Sequence, residues 1–269
     1  MEAEPTLRPP VFENPPITEV VCGVAFETLR GLLAPHLGLL WEKYRPEFSH
    51  CQEAIPLVVQ IENPEGTMGE AEIVDVPPLP RVQLRNAKGD GMIQVQRERF
   101  HYNWQKVGPD DKYPRFEAVF ALYREKLDIF KMFLSENELG VLAAKQYELT
   151  YVNHILQDEG WETTADIGNV FPDLVWRRTA GRADPESVAW RASFKLPDNF
   201  GRLHVSIRSA QKMLDGRALL VADFTARGIS GTDEERMPEW FTRAHNHIVE
   251  AFEDLCSHDV QKTLWKRVK

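Results

Sequence analysis

Two spacings of apolar residues alternate along the chain. Period-two runs predict strands, and apolar positions three or four apart predict helices. Ile17 to Glu27 is β-branched and apolar and predicts a buried strand. Leu33, Leu37, Leu40, Trp41, Tyr44 and Phe48 predict a helix over 33–48. Leu57 to Ile61 predicts a short strand, and the proline-rich stretch 62–80 a loop. Arg81 to Arg85 and Met92 to Trp104 predict a hairpin around Gly89-Asp90-Gly91, whose glycines supply the positive φ a tight turn requires. Tyr113-Pro114 opens a long helix striped by Phe116, Val119, Phe120, Tyr123, Leu127, Phe130 and Leu134 and stopped at Gly140.

The second half repeats this order. Gln146 to Leu156 predicts a strand, and 163–174 one or two helical turns capped by Thr164. A polar loop over 177–185 follows, then strands over 187–196, 202–210 and 218–227 with turns at Asp198-Asn199 and Asp215-Gly216. A helix over 238–256, capped by Thr232 or Asp233, carries Trp240, Ala244, Ile248, Ala251, Phe252 and Leu255 on one stripe. The expected fold class is α+β, with curved antiparallel sheets packed on long helices. It comprises two tandem units of strand, helix, antiparallel strands and helix, 17–140 and 141–258, a structural duplication within one compact body. A proline-rich arm, 1–16, precedes them and a basic tail, 259–269, follows. The order resembles TATA-binding-protein-like or helix-grip domains. It is compatible with one continuous sheet or with two packed sheets, and topology alone does not fix function.

A sheet covered by helices on one side should be polar on the other. Val82 and Leu84 oppose Arg81, Gln83 and Arg85; Leu203, Val205 and Ile207 oppose Arg202, His204, Ser206 and Arg208. With Arg191, Gln94, Gln96 and Arg99, the open face reads as rich in Arg, Gln and His, its carboxylates being Glu98 and Asp223. Two readings stand side by side: a solvated face whose arginines pair with nearby acids, or a surface for an anionic partner. The second uses the planar fork by which Arg binds phosphate or carboxylate.

Composition narrows the classes. Lys and Arg number 32 against 41 Asp and Glu, a net charge of −9 over 269 residues. That argues against coating nucleic acid or anionic membrane by bulk charge, while a local basic face remains open. The odd, scattered cysteines, Cys22, Cys51 and Cys256, argue against a disulfide framework. No apolar run approaches the ~20 residues of a membrane span, and the acidic, proline-rich start does not read as a signal peptide. The expectation is a cytoplasmic protein with no cofactor, no metal and no membrane partner.

No residue cluster names a reaction. His245, His247, Cys256 and His258 look like metal ligands on paper, but 11 residues of helix between the first His and the Cys extend about 16 Å, too far to share one ion. Phosphate-binding glycine loops and nucleophile elbows are absent from the sequence. Glu19, in an apolar strand, needs a partner if buried. Catalysis by Glu19 or His154 is the weaker alternative.

Three stretches carry a resemblance: Phe12-Glu13-Asn14-Pro15-Pro16-Ile17-Thr18-Glu19-Val20, Ile93 to Trp104, and Tyr151-Val152-Asn153-His154-Ile155, with a C-terminal echo at Ala244-His245, Phe252 and Leu264-Trp265. Across residues 12–267 the chain resembles a sporadically distributed, uncharacterised prokaryotic family with an F-x-N-P-P-I-x-E-V motif. The resemblance implies one family unit and brings no activity or catalytic residues. Such patchy distribution implies a defence or toxin–antitoxin setting. The strand-borne polar residues of these stretches, Glu19, Gln94, Gln96, Arg99, Asn103, Asn153 and His154, form the candidate site together with Arg85, Arg191, Arg202 and Arg208. The expected function is non-enzymatic binding or regulation through a complex with another protein encoded nearby. The alternative is nucleic-acid or nucleotide binding on the basic face. The tail Lys262 to Arg267 either docks on an acidic partner or packs Leu264 and Trp265 on the body.

Overall fold

The computed structural model describes residues 10–58, 60–62, 79–176, 183–212, 215–229 and 236–268. Nine strands are β1 (Ile17–Phe26), β2 (His50–Ala54), β3 (Arg81–Arg85), β4 (Gly91–Gln96), β5 (Arg99–Gln105), β6 (Ala144–Leu156), β7 (Ala189–Lys195), β8 (Arg202–Gln211) and β9 (Ala218–Ile229). They form one sheet in the order β2-β3-β4-β5-β1-β6-β9-β8-β7, every neighbouring pair antiparallel. Of the two arrangements left open by the sequence, the continuous sheet is the one adopted.

β1 is the middle strand, paired with β5 on one side and β6 on the other. Cys22 lies between Tyr102 of β5 and Leu149 of β6, and Val20, Cys22, Val24 and Phe26 are all buried beneath helices. Two long helices, α2 (Phe116–Glu136) and α3 (Met237–Leu255), cover that side. α2 packs on β5 and β1, and α3 on β6 and β9. They meet through Phe241, whose ring centroid lies 4.9 Å from Phe120 and 5.2 Å from Tyr123. Each such fully buried aromatic contributes about 1.5–3 kcal/mol by leaving water.

A shorter helix, α1 (Ala34–Tyr44), packs on α2 and β3. It stops before Phe48, short of the predicted span: Arg45 is still helical and bonds the Trp41 carbonyl, but Pro46 has no N–H to continue the ladder. The two-turn segment 164–169 is 3₁₀. Thr163, not Thr164, begins it: Asp166 accepts from both its N–H and its hydroxyl, at 3.0 and 2.8 Å. The expected caps Thr232 and Asp233 lie outside the described residues, as does most of the polar loop 177–185.

Two expectations are corrected. Met92 to Trp104 is not one strand: it is β4 and β5, folded back at Arg97-Glu98. The carbonyls of those two residues accept from Leu29 and Phe26, so tertiary bonds hold a turn that lacks Gly or Asn. Leu57 to Ile61 is not a strand either; β2 is His50–Ala54, and 55–62 runs elsewhere. The tail forms α4 (His258–Thr263), after which Trp265 packs at 4.9 Å on Phe252 and edge-on to Phe12. Phe12 bridges Arg267 and packs edge-on against Phe252, so residues 12 and 265–267 close on α3, while Leu264 stays exposed.

Candidate functional site

Strand alternation puts even-numbered residues of β1 under the helices and odd-numbered ones on the other face. Following register outward, Glu19, Val21, Gly23 and Ala25 share that second face with Gln105, Asn103, His101 and Arg99 of β5 and with Val152, Thr150, Glu148 and Gln146 of β6. Gln94 and Gln96 of β4 and Arg81, Gln83 and Arg85 of β3 continue it to one side. Asp223 and Arg227 of β9 and Arg202, His204, Ser206 and Arg208 of β8 continue it to the other.

Amide side chains form a relay across five strands. Gln52 donates to Gln83 (2.5 Å), Gln83 to Gln94 (3.0 Å), Gln94 to Asn103 (2.8 Å) and Asn103 to Glu19 (2.5 Å). Arg81 also donates to Gln94, at 2.9 Å. Every amide thus gives one proton toward a terminal carboxylate, which is what a polar network needs to survive burial.

Next to the relay lies a compact charge cluster. Arg227 Nε donates to Glu148 at 2.5 Å, and His101 Nε2 stands 3.9 Å from the other Glu148 oxygen. Burial pushes Glu148 up, but Arg227 and Arg99 outweigh it and hold the carboxyl at about 2. Burial, then Arg99, push His101 down to about 3 against the pull of Glu148. The imidazole is therefore neutral at physiological pH. Its ring occupies the space over Gly23, where a Cβ would lie 2.2 Å from His101 Cδ2.

This face is not open. Residues 55–58 and 60–62 cross it as a strap, bound by side chains rather than by a ladder. Gln96 accepts from the Leu57 N–H (2.9 Å) and donates to the Leu57 carbonyl (3.1 Å). Gln146 accepts from the Glu62 N–H (2.8 Å) and donates to the Gln60 carbonyl (2.9 Å). Two amides thus each close a pair of bonds on extended backbone. The strap ends with Glu62 between Arg202 (3.0 Å) and His204 (2.7 Å); burial raises the Glu62 pKa, but His204 and Arg202 bring it below the ordinary carboxylate range. His204 Nδ1 also bonds Ser193 at 2.8 Å. Three of its apolar side chains are exposed: Ile55 is 85% and Val58 73% exposed, and Leu57 is exposed as well.

The structure brings Glu19, Gln94, Gln96, Arg99 and Asn103 together on this face, and Arg85 adjoins them by donating to Gln105 at 2.6 Å. Arg202 binds the strap. Arg191 and Arg208 lie at the β7–β8 side, exposed. His154 faces the same way, its pKa lowered by burial and then by Arg208. Asn153 is on the opposite, helix-covered side, donating to the Ala222 carbonyl at 3.0 Å. Sequence reasoning placed Gln83 on this face but missed Gln146, Glu148 and Glu62, and by missing the two carboxylates overestimated the free positive charge of the face. Alternation along β6 placed Gln146 and Glu148 there and was the signal available. Asp223 has its pKa raised by burial and by Glu19, which Arg208 opposes.

Among the described residues there is no group of three or more His, Cys, Asp or Glu that could hold a metal ion. None of the described helices is long and apolar enough to cross a membrane. No family model matches the chain, and no curated protein matches it. Among solved structures it is similar to the crystal structure of DynU16, a protein of the dynemicin biosynthetic locus, at 10% identity over 88% of this chain and 96% of that one, with a TM-score of 0.25.

Proposed function

We propose that the chain is a non-enzymatic binding protein that acts in a complex with another protein, and that the strapped polar face is where the partner docks. The observation that carries this is the strap's orientation. Its backbone is satisfied by Gln96 and Gln146, while Ile55, Leu57 and Val58 are turned to solvent. Apolar side chains displayed together on a polar rim are a usual mark of a protein contact. Across the same face, at its β7–β8 side, Arg191, Lys195 and Arg208 are exposed, so the matching surface is apolar where it meets the strap and acidic where it reaches β7 and β8. A prokaryotic defence or toxin–antitoxin system is the setting the family resemblance favours.

The sheet order supports a tandem duplication like that of TATA-binding-protein-like folds. Outward from β1 it reads β5-β4-β3-β2, and outward from β6 it reads β9-β8-β7. On this reading β1 and β6 correspond, and α2 corresponds to α3.

The nucleic-acid reading draws on the same exposed arginines. It is the weaker one because Arg202 and Arg227 already meet Glu62 and Glu148. Fluorescence anisotropy with mixed DNA and RNA oligonucleotides at about 50 and 200 mM salt separates the two. The expected result is no saturable binding at either salt. Tight binding that falls steeply with salt, and is lost in Arg191→Ala/Arg208→Ala, moves the assignment to nucleic acid. An enzymatic role has its own check. Ser193, His204 and Glu62 form a hydroxyl–imidazole–carboxylate chain, the layout of an acyl-transfer triad. The binding reading expects no labelling by a fluorophosphonate; adduct formation at Ser193 contradicts it.

A further inference from the structure

On the helix-covered side, at the junction of the N-terminal arm, α2 and α3, lies a partly open cavity of about 300 Å³, within the size range of small-molecule sites. Its walls are apolar and largely aromatic: Phe12, Phe116, Phe224, Ile248 and Phe252. Its polar wall residues are Tyr113, Tyr151, Asn153 and His245, with the exposed charges Arg115 and Glu117. Tyr113 and Tyr151 share a hydrogen bond of 2.9 Å, and Tyr151 bonds His245 Nδ1 at 2.8 Å. The His245 ring lies flat on Phe116, 4.5 Å away with planes 3° apart, which fixes the ring's orientation. Burial holds this histidine down at about 4, with Glu117 opposing, so the chain of three is uncharged at neutral pH.

Such a chain has two ends, one giving a proton and one receiving. Among the described residues His245 Nε2 has no hydrogen-bond partner, and neither has the amide oxygen of Asn153, a wall residue 2% exposed. The cavity therefore offers a donor and an acceptor set in aromatic walls; its two charged wall residues, Arg115 and Glu117, are exposed and of opposite sign, and Arg115 already donates to the Phe12 carbonyl at 3.1 Å. An ion held among the aromatic walls would lose its hydration without compensation. We infer that this cavity is a binding site for a small, uncharged aromatic molecule bearing a hydroxyl or carbonyl oxygen, the ring held between Phe12, Phe224 and Phe252 and the oxygen at Tyr151 and His245.

The test is calorimetric titration of the full chain with 1-naphthol, with 1-naphthoate as the charged counterpart. The expected result is saturable 1-naphthol binding, weakened about fivefold in Tyr151→Phe by loss of one neutral hydrogen bond, with 1-naphthoate at least about tenfold weaker still than 1-naphthol. Ile248→Trp should fill the cavity and abolish binding, with circular dichroism reporting that the fold is kept. Should that variant unfold, Val249→Phe, at a half-buried wall position, serves the same purpose. Absence of saturable 1-naphthol binding, binding unchanged in the filled variants, or tighter binding of 1-naphthoate would each overturn the assignment.

Discussion

Asn103 Nδ2 donates to the Glu19 carboxylate at 2.5 Å, and this single bond anchors five strands of amide relay. The bond needs an acceptor at position 19 and does not need a charge. Glu19→Gln, with its carbonyl turned to Asn103, should unfold in urea within about 1 kcal/mol of the parent. Glu19→Ala strands a buried amide and should lose about 1–3 kcal/mol. Equal losses in the two variants would mean that the charge, not the acceptor, matters.

Gly23 is required by the ring above it. A methyl there would stand 2.2 Å from His101 Cδ2 and 2.6 Å from Nε2, and that ring is buried without room to retreat. Gly23→Ala should lower stability by about 1–3 kcal/mol. Much of this should be recovered in Gly23→Ala/His101→Ala relative to the sum of the single changes, which a double-mutant cycle in urea measures.

The same cluster sets an acid response. His101 sits at about 3 in the folded chain against its ordinary 6.5, and Glu148 at about 2 against 4.5. Both are depressed, so the unfolded chain binds more protons and stability falls as pH drops: first from about 6.5 toward 3 through His101, then from 4.5 toward 2 through Glu148. His101→Gln should flatten the upper part of that slope by up to one proton, about 1.4 kcal/mol per pH unit. The variants are compared by urea midpoints between pH 7 and 4. An unchanged slope would mean that His101 is not held neutral in the fold.

Removing either amide clamp should loosen the strap and leave the sheet intact. Gln96→Ala and Gln146→Ala each remove a pair of bonds to backbone. Amide hydrogen exchange at Leu57 should rise in the first variant and at Glu62 in the second, with β1 and β6 protection retained. Faster exchange across the whole sheet would make the strap an integral part of the fold.

Because β1 and β6 are directly paired and Phe241 of α3 packs on Phe120 and Tyr123 of α2, the halves should not melt apart. Phe241→Ala should cost about 3–5 kcal/mol and leave one unfolding transition. Two resolved transitions would contradict the single core.

Much of this architecture was legible because burial imposes a period. Leu203, Val205 and Ile207 against Arg202, His204 and Ser206 fixed which way β8 faces, and the stripe from Phe116 to Leu134 fixed α2. What escaped reading depends on partners distant in sequence. Arg97-Glu98 turns the chain without a turn residue because Phe26 and Leu29 bind its carbonyls. Leu57 to Ile61 has strand composition, yet its backbone is bound by side chains of Gln96 and Gln146. The polar positions of the site, Glu19, Gln94 and Asn103, were visible as misfits on strands. That they point into one relay, while Asn153 faces the other side, follows from register and from the shift in β1–β6 pairing between Ile17 and Glu19.

The central claim is that the strapped face receives a protein. The most direct measurement places a photo-crosslinking residue at Val58, on the strap, and in a separate protein at Met132, exposed on α2, and irradiates each in the native host. The account predicts one discrete protein adduct from position 58, lost when Arg191 and Arg208 are changed to Glu, and none of that adduct from position 132. Crosslinking at position 58 to nucleic acid, or the same adduct from both positions, would contradict it.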